Sequence, residues 1–186
     1  MPRMTPITRR EQVPAGGEGA FDRVIASRGA INAPQSMLMY VPEVSALATA
    51  MNDALRFGSS MSDADVELAI IVAAREFDIR YVWAAHAGRA AKMGVDQALI
   101  DAIATGAELP AGVGRRQALI TRFARTLVGR HTMTDELFAD TRAELGDRGV
   151  IELAALLGYY LMIGCALIAT DYPLAADAPV LPPRGA

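Results

Sequence analysis

Thiols, imidazoles and indoles are scarce in this 186-residue chain, which has one cysteine, two histidines and one tryptophan, with aromatic residues at 6% overall. The lone Cys165 excludes an intramolecular disulfide, a Cys-x-x-Cys redox pair and a cysteine-rich metal site. Set in an apolar run, it reads as a buried small hydrophobe. A surplus of either charge is missing too. A net charge of −3 and a pI near 5.4 leave no electrostatic footprint for a nucleic-acid partner. The basic N-terminus, MPRMTPITRREQ, has no apolar core, so no secretory signal is expected and the protein is expected to be cytoplasmic. No segment alternates apolar and polar residues over the length of a strand.

Apolar residues make up 52% of the chain and charged residues 21%, which excludes disorder and suits one domain with a sizeable core. Abundant alanine and short β-branched runs favour helix over sheet. The apolar share is at the high end for a monomer, so surface buried between subunits, and hence a homo-oligomer, is expected. Residues 1–20, with three prolines and three glycines, read as an irregular arm; 21–170 read as a helical core; 171–186, with four prolines, read as an extended C-terminal arm.

Within the core, Phe21 to Ser27 reads as a helical turn and Pro34 as the first turn of a short helix. A helix is expected from Pro42 to Phe57, with Val44, Leu47, Ala48, Met51 and Leu55 on one face. Ser62 to Asp65 resembles a capping box opening a helix to Phe77. Asp78 breaks it, and a further helix follows from Ile79 to Met93, stopped by Gly94. Helices are also expected over Gln97–Thr105, Arg115–Arg130 and Asp135–Leu145. A turn at Gly146–Gly149 then precedes the apolar stretch Val150–Ala169. That stretch is long enough to span a bilayer. Its Glu152, two central tyrosines, two glycines and flanks without a positive-inside bias instead indicate a core helix, with no membrane partner.

The densest chemistry lies between Glu67 and His86. On a helix, His86 shares its face with Val82 and Trp83 one turn back and with Arg89 and Ala90 one turn on. An imidazole beside an indole, with a guanidinium nearby, suits a small anionic ligand. If the two helices form an antiparallel hairpin about Asp78, Glu67 comes within a turn of His86, where it can orient the ring or share its proton. A hydrogen-bonded core histidine is the alternative reading of His86. His131 reads as a surface residue. The short echo Val66-Glu67-Leu68-Ala69 and Ile151-Glu152-Leu153-Ala154 is also explained by an acid near each helix N-terminus.

At these residues the chain resembles the carboxymuconolactone decarboxylase and alkylhydroperoxidase D superfamily. The likeness runs through Glu67-Leu68, Tyr81-Val82-Trp83-Ala84-Ala85-His86 and Gly94-Val95-Asp96. It extends to Arg28 through Pro34, Val41 through Val44, and Val150 through Leu153 with Tyr159. It covers about 25–170 and is most specific over 62–95. The resemblance implies a compact all-α bundle of the alkylhydroperoxidase D-like type and a homo-oligomer, trimer or hexamer favoured. It also implies a lyase that decarboxylates a small carboxylated lactone or aromatic-catabolism intermediate by proton transfer, without metal or organic cofactor. His86 would be the proton donor, Glu67 its orienting partner, and Trp83, Arg89, Tyr81 and Tyr159 the substrate-binding residues.

The two cysteines of the peroxidase branch would fall at Ile79 and Val82, so thiol peroxidase chemistry is the least expected activity. Where many relatives carry a glutamate between Tyr and Trp, this chain has Val82. That departure keeps open a catalytically reduced, oligomeric small-molecule binding protein of the same fold.

Overall fold

The computed structural model describes residues 2–184. Eight α-helices follow one another: α1 (Glu18–Arg28), α2 (Ala33–Leu38), α3 (Pro42–Phe57), α4 (Asp63–Glu76), α5 (Arg80–Lys92), α6 (Gln97–Thr105), α7 (Arg115–Ala124) and α8 (Asp135–Ala169). No strand occurs among the described residues.

The capping box expected at Ser62 forms. The Ser62 hydroxyl accepts the Asp65 N–H at 3.2 Å, and Asp65 accepts the Ser62 N–H at 3.1 Å. From Asp65 to Arg75 every residue of α4 is buried, as befits a helix apolar almost all round. It packs against α5, α7 and α8. Each fully buried side chain such as Leu68, Ile70 or Ile71 contributes about 2 kcal/mol. The chain then reverses at Asp78, whose φ is 53° and whose carboxylate binds the Arg75 guanidinium. The reversal makes α4 and α5 an antiparallel hairpin.

The start of α5 is pressed onto α8. A Cβ placed on Gly164 would lie 2.5 Å from Ile79 Cδ1 and 2.8 Å from Ile79 Cγ1, and Ile79 is itself only 1% exposed. Gly164→Ala should therefore lower stability by about 1–3 kcal/mol, the usual cost of overpacking. Urea denaturation will measure it, and an unchanged midpoint would show that Ile79 has room to move.

Four expectations are corrected. The helix α1 begins at Glu18, inside the segment read as an irregular arm. The rest of that arm is anchored by Ile7 and Val13, which are buried with Phe21, Val24 and Met39. Secondly, the break between 135–145 and the apolar stretch shrinks to a single residue. Gly146 has φ 72° and ψ 172°, a conformation essentially restricted to glycine, and the helix resumes at once. Thirdly, Arg115–Arg130 is not one α-helix: α7 gives way to a π-helical turn, Arg125–Gly129. Finally, Cys165 is exposed rather than buried. It shares the outer face of α8 with Ile151, Gly158 and Met162.

The apolar stripe of α3 also has an unexpected orientation. Val44, Leu47 and Met51 are exposed, whereas Ser45, Thr49 and Asn52 are buried beside Ala48 and Leu55. Burying the polar side is tolerable because its groups are satisfied. Thr49 donates to the Ser45 carbonyl at 2.9 Å, Ser45 donates to the Gln35 carbonyl at 3.2 Å, and Asn52 accepts from Arg28 at 2.5 Å. The C-terminal segment does run as an extended arm, but it is docked. Leu181 is buried, and the Pro182 carbonyl accepts a bond from the buried Arg75 at 2.6 Å.

Candidate active site

The α4–α5 hairpin brings Glu67 and His86 into direct contact, with Glu67 Oε2 2.7 Å from His86 Nδ1. Both are nearly buried, at 4% and 7% exposure. The other carboxylate oxygen, Oε1, accepts a bond from Arg56 Nη2 at 2.5 Å. The result is a guanidinium–carboxylate–imidazole chain drawn from α3, α4 and α5.

Arg56 stands in the last turn of α3, where a cation is favoured by the helix dipole. Its guanidinium carbon lies 5.3 Å from the Phe57 ring centroid, and that of Arg28 lies 5.7 Å from the same ring. The loop after Phe57 is pinned by Glu152. One carboxylate oxygen accepts from Ser59 Oγ, Ser60 N and Ser60 Oγ at 2.9, 2.8 and 2.7 Å, and the other from Arg148 at 2.6 Å. Desolvation pushes the Glu152 carboxyl up, but these bonds outweigh it and hold the pKa at about 2. The two acids of the sequence echo therefore do different work: Glu67 faces His86, and Glu152 fixes the chain segment that carries Arg56.

Charge in the buried chain is set by competition. Burial raises the Glu67 carboxyl, yet the bond to His86 and the charges of His86, Arg56 and Arg89 more than offset it, so the net shift is downward. Burial is also the largest influence on His86 and lowers its pKa. Glu67 opposes that, Arg56 and Arg89 reinforce it, and the net shift is downward from 6.5. A neutral His86 gives Glu67 no positive charge to lean on. With His86 neutral, the Arg56 guanidinium at Oε1 is the cation bonded to Glu67, and it favours the ionised carboxylate. An ionised carboxylate only accepts, so Nδ1 carries the ring proton and Nε2 is left with its lone pair.

The His86 ring lines a cavity of about 190 Å³. Tyr81, Tyr159 and Arg89 line it as well. Trp83 does not: it is 4% exposed and packed in the main core. Val82, Ala85 and Ile163 supply the apolar wall instead. Arg28, Asn52 and Arg56, none of them among the expected site residues, also face the cavity. Tyr160 stands edge-on to His86, with centroids 5.5 Å apart. Burial pushes its hydroxyl up to about 12 and raises that of Tyr159 further, so both phenols stay protonated as donors.

A helical protein with a buried carboxylate–imidazole pair opening on an arginine-lined cavity is the class defined by this geometry. No family model and no curated protein matches the chain. Among solved structures it is similar to an alkylhydroperoxidase AhpD core, an uncharacterised peroxidase-related protein from Ralstonia eutropha JMP134. That match has a TM-score of 0.70 and 16% identity over 95% of this chain and 93% of the other. It is similar also to a peroxidase-related protein from Silicibacter sp. TM1040, with a TM-score of 0.67 and 20% identity over 95% and 90%. The debrominase Bmp8 in complex with 2,3,4-tribromopyrrole matches with a TM-score of 0.71 and 13% identity over 95% of both chains. The chain has the all-α alkylhydroperoxidase D-like fold implied by the resemblance.

Proposed function

We propose that this protein is a lyase of the decarboxylase kind, acting on a small carboxylated lactone or a related monoanion, with His86 as the proton-transfer group. The observation that carries this reading is the 2.7 Å Glu67–His86 contact opening on a cavity with one uncommitted cation. Arg28 is paired with Asp53 at 2.7 Å and Arg56 with Glu67. Arg89 has no acidic partner among the described residues, so the cavity is balanced for one anionic group. Its volume, about 190 Å³, is below the roughly 300 Å³ at which drug-sized sites begin. A debrominase of the same fold that holds 2,3,4-tribromopyrrole fits a substrate of this size. The only cysteine, Cys165, lies outside the cavity lining, which counts against thiol peroxidase chemistry.

In the proposed reaction, Arg89 receives the substrate anion. Negative charge beside His86 raises the affinity of its ring for a proton, so the imidazole takes one from solvent as the substrate binds. The carbon–carboxylate bond breaks, carbon dioxide leaves, and its electron pair passes into the unsaturated lactone. Nε2–H then returns the proton to carbon, and the imidazole is neutral again. The apolar wall around Val82 and Ile163 favours dispersal of charge in that intermediate. A second reading is favoured by the neutral resting ring. In an isomerase, Nε2 would first remove a proton and then return it elsewhere.

Carbon dioxide release from small carboxylated lactones tests the first reading, and deuterium exchange into unreacted substrate tests the second. Neither activity, with ligand binding intact, would leave the reduced binding protein. The pH dependence is a separate expected result. Because His86 is depressed, the unfolded chain binds a proton that the native chain refuses between the lowered value and 6.5. Stability therefore falls as pH drops through 6.5 toward the native value. Glu67 adds a second loss below its ordinary 4.5. The His86 imidazole signal in an NMR titration should have its midpoint below 6.5; a midpoint above 6.5 would contradict the burial argument.

A further inference from the structure

We propose that Arg56 is a positioning residue: bound to one oxygen of Glu67, it commits the other oxygen to His86 Nδ1 and so fixes which imidazole nitrogen faces the substrate. The inference rests on His86 being the proton-transfer group. Arg56 suppresses an alternative state of the pair. A carboxyl group buried as deeply as Glu67 is pushed by desolvation toward its neutral form. Once neutral, it could donate its O–H to Nδ1. The ring proton would then sit on Nε2, where the neutral ring is a far weaker acid than the imidazolium the proposed reaction uses and has no lone pair left to take up a proton from solvent. Arg56 Nη2, at 2.5 Å from Oε1, keeps the carboxylate ionised and confined to accepting.

The surroundings fit this role for Arg56 and no other cation. Arg28 is engaged by Asp53 and Asn52. Arg89 belongs to α5 and makes no hydrogen bond to Glu67 among the described residues. From α8 the phenols Tyr159 and Tyr160 line the same cavity and carry no charge. Arg56 itself is held by the Phe57 ring at 5.3 Å and by its carboxylate partner, and the helix that carries it runs into the pinned Gly58–Ser60 segment. In that segment the Gly58 carbonyl accepts from Arg148 at 2.9 Å.

The test is nitrogen NMR of the His86 ring in ¹⁵N-histidine-labelled protein, with turnover measured alongside. The wild type should show the Nδ1–H tautomer. Arg56→Gln should move most of His86 to the Nε2–H tautomer and lower kcat by at least about tenfold, with KM little changed. Arg56→Lys, which restores the charge, should return the wild-type tautomer. An Nε2–H wild type, or a folded Arg56→Gln with the wild-type tautomer, overturns the proposal. If Arg56→Gln does not fold, Arg56→Lys decides: the Nδ1–H form supports the clamp and its loss overturns it. Tautomer selection without any wild-type turnover would sink the catalytic reading and leave the clamp. Wild-type turnover with an indifferent Arg56→Gln tautomer would do the reverse.

Discussion

Exchange of His86 for glutamine should leave a folded protein whose kcat is lower by about 10²–10⁴-fold, the usual worth of a positioned acid–base group. Glutamine is the informative replacement. Its amide N–H can still donate to Glu67, so the carboxylate and Arg56 keep their partners, and its bulk fills much of the space beside Tyr160. What it cannot do is exchange a proton near neutral pH. Because Arg89 is untouched, KM for a small anion should change little while kcat collapses, the pattern of an interaction made only in the transition state. Steady-state kinetics of the two proteins, with circular dichroism to confirm the fold, make the comparison. The alkaline fall of kcat/KM, produced as His86 loses the proton it must deliver, should also vanish in the variant. A His86→Gln protein within a few-fold of wild-type turnover would reduce His86 to a satisfied core histidine.

How much of this was legible beforehand differs between the fold and the site. The hairpin was legible because its signals are local. Ser62 and Asp65 cap one helix, Asp78 breaks it, and the apolar run between them fixes the spacing that puts Glu67 beside His86. Trp83 was assigned to the cavity because it is one turn from His86. Its large apolar surface gains more in the core, and the smaller Val82 was left for the cavity wall. Arg56 was missed for a different reason. On α3 the apolar residues Val44, Leu47 and Met51 suggest an inward face, yet Ser45, Thr49, Asn52 and Arg56 follow the same helical spacing on the other side. Polar residues at a 4-3-4 interval can line a site as well as a solvated face. Periodicity alone cannot decide which side is buried when the inner side is paired to Gln35, Arg28 and Glu67. Those partners come from distant parts of the chain, so the signal existed but its sign depended on tertiary contacts.

That dependence makes Glu67 a consequential position for stability. Glu67→Leu should cost about 3–5 kcal/mol, because it strands a guanidinium whose side chain is only 13% exposed and leaves His86 Nδ1 without its acceptor. The loss is mostly a penalty for the abandoned partners and only in small part the net worth of the ion pair. A double-mutant cycle separates the two. If the penalty dominates, Arg56→Leu in the Glu67→Leu background should recover most of the lost stability, because replacing both charges by apolar groups removes the uncompensated cation. Glu67→Gln should fall between, since its amide oxygen can still accept from Arg56 or from His86 but has no charge to offer. Urea midpoints at pH 7.5 for wild type, Glu67→Leu, Arg56→Leu and the double variant give the coupling directly. Below pH 4.5 the gap between wild type and Glu67→Leu should narrow, because the unfolded wild-type carboxyl takes up a proton that the native carboxylate, with its lowered pKa, holds off. A Glu67→Leu protein as stable as wild type would mean that Arg56 and His86 find other partners. In that case the three-residue chain is not what holds α3, α4 and α5 in register around the cavity.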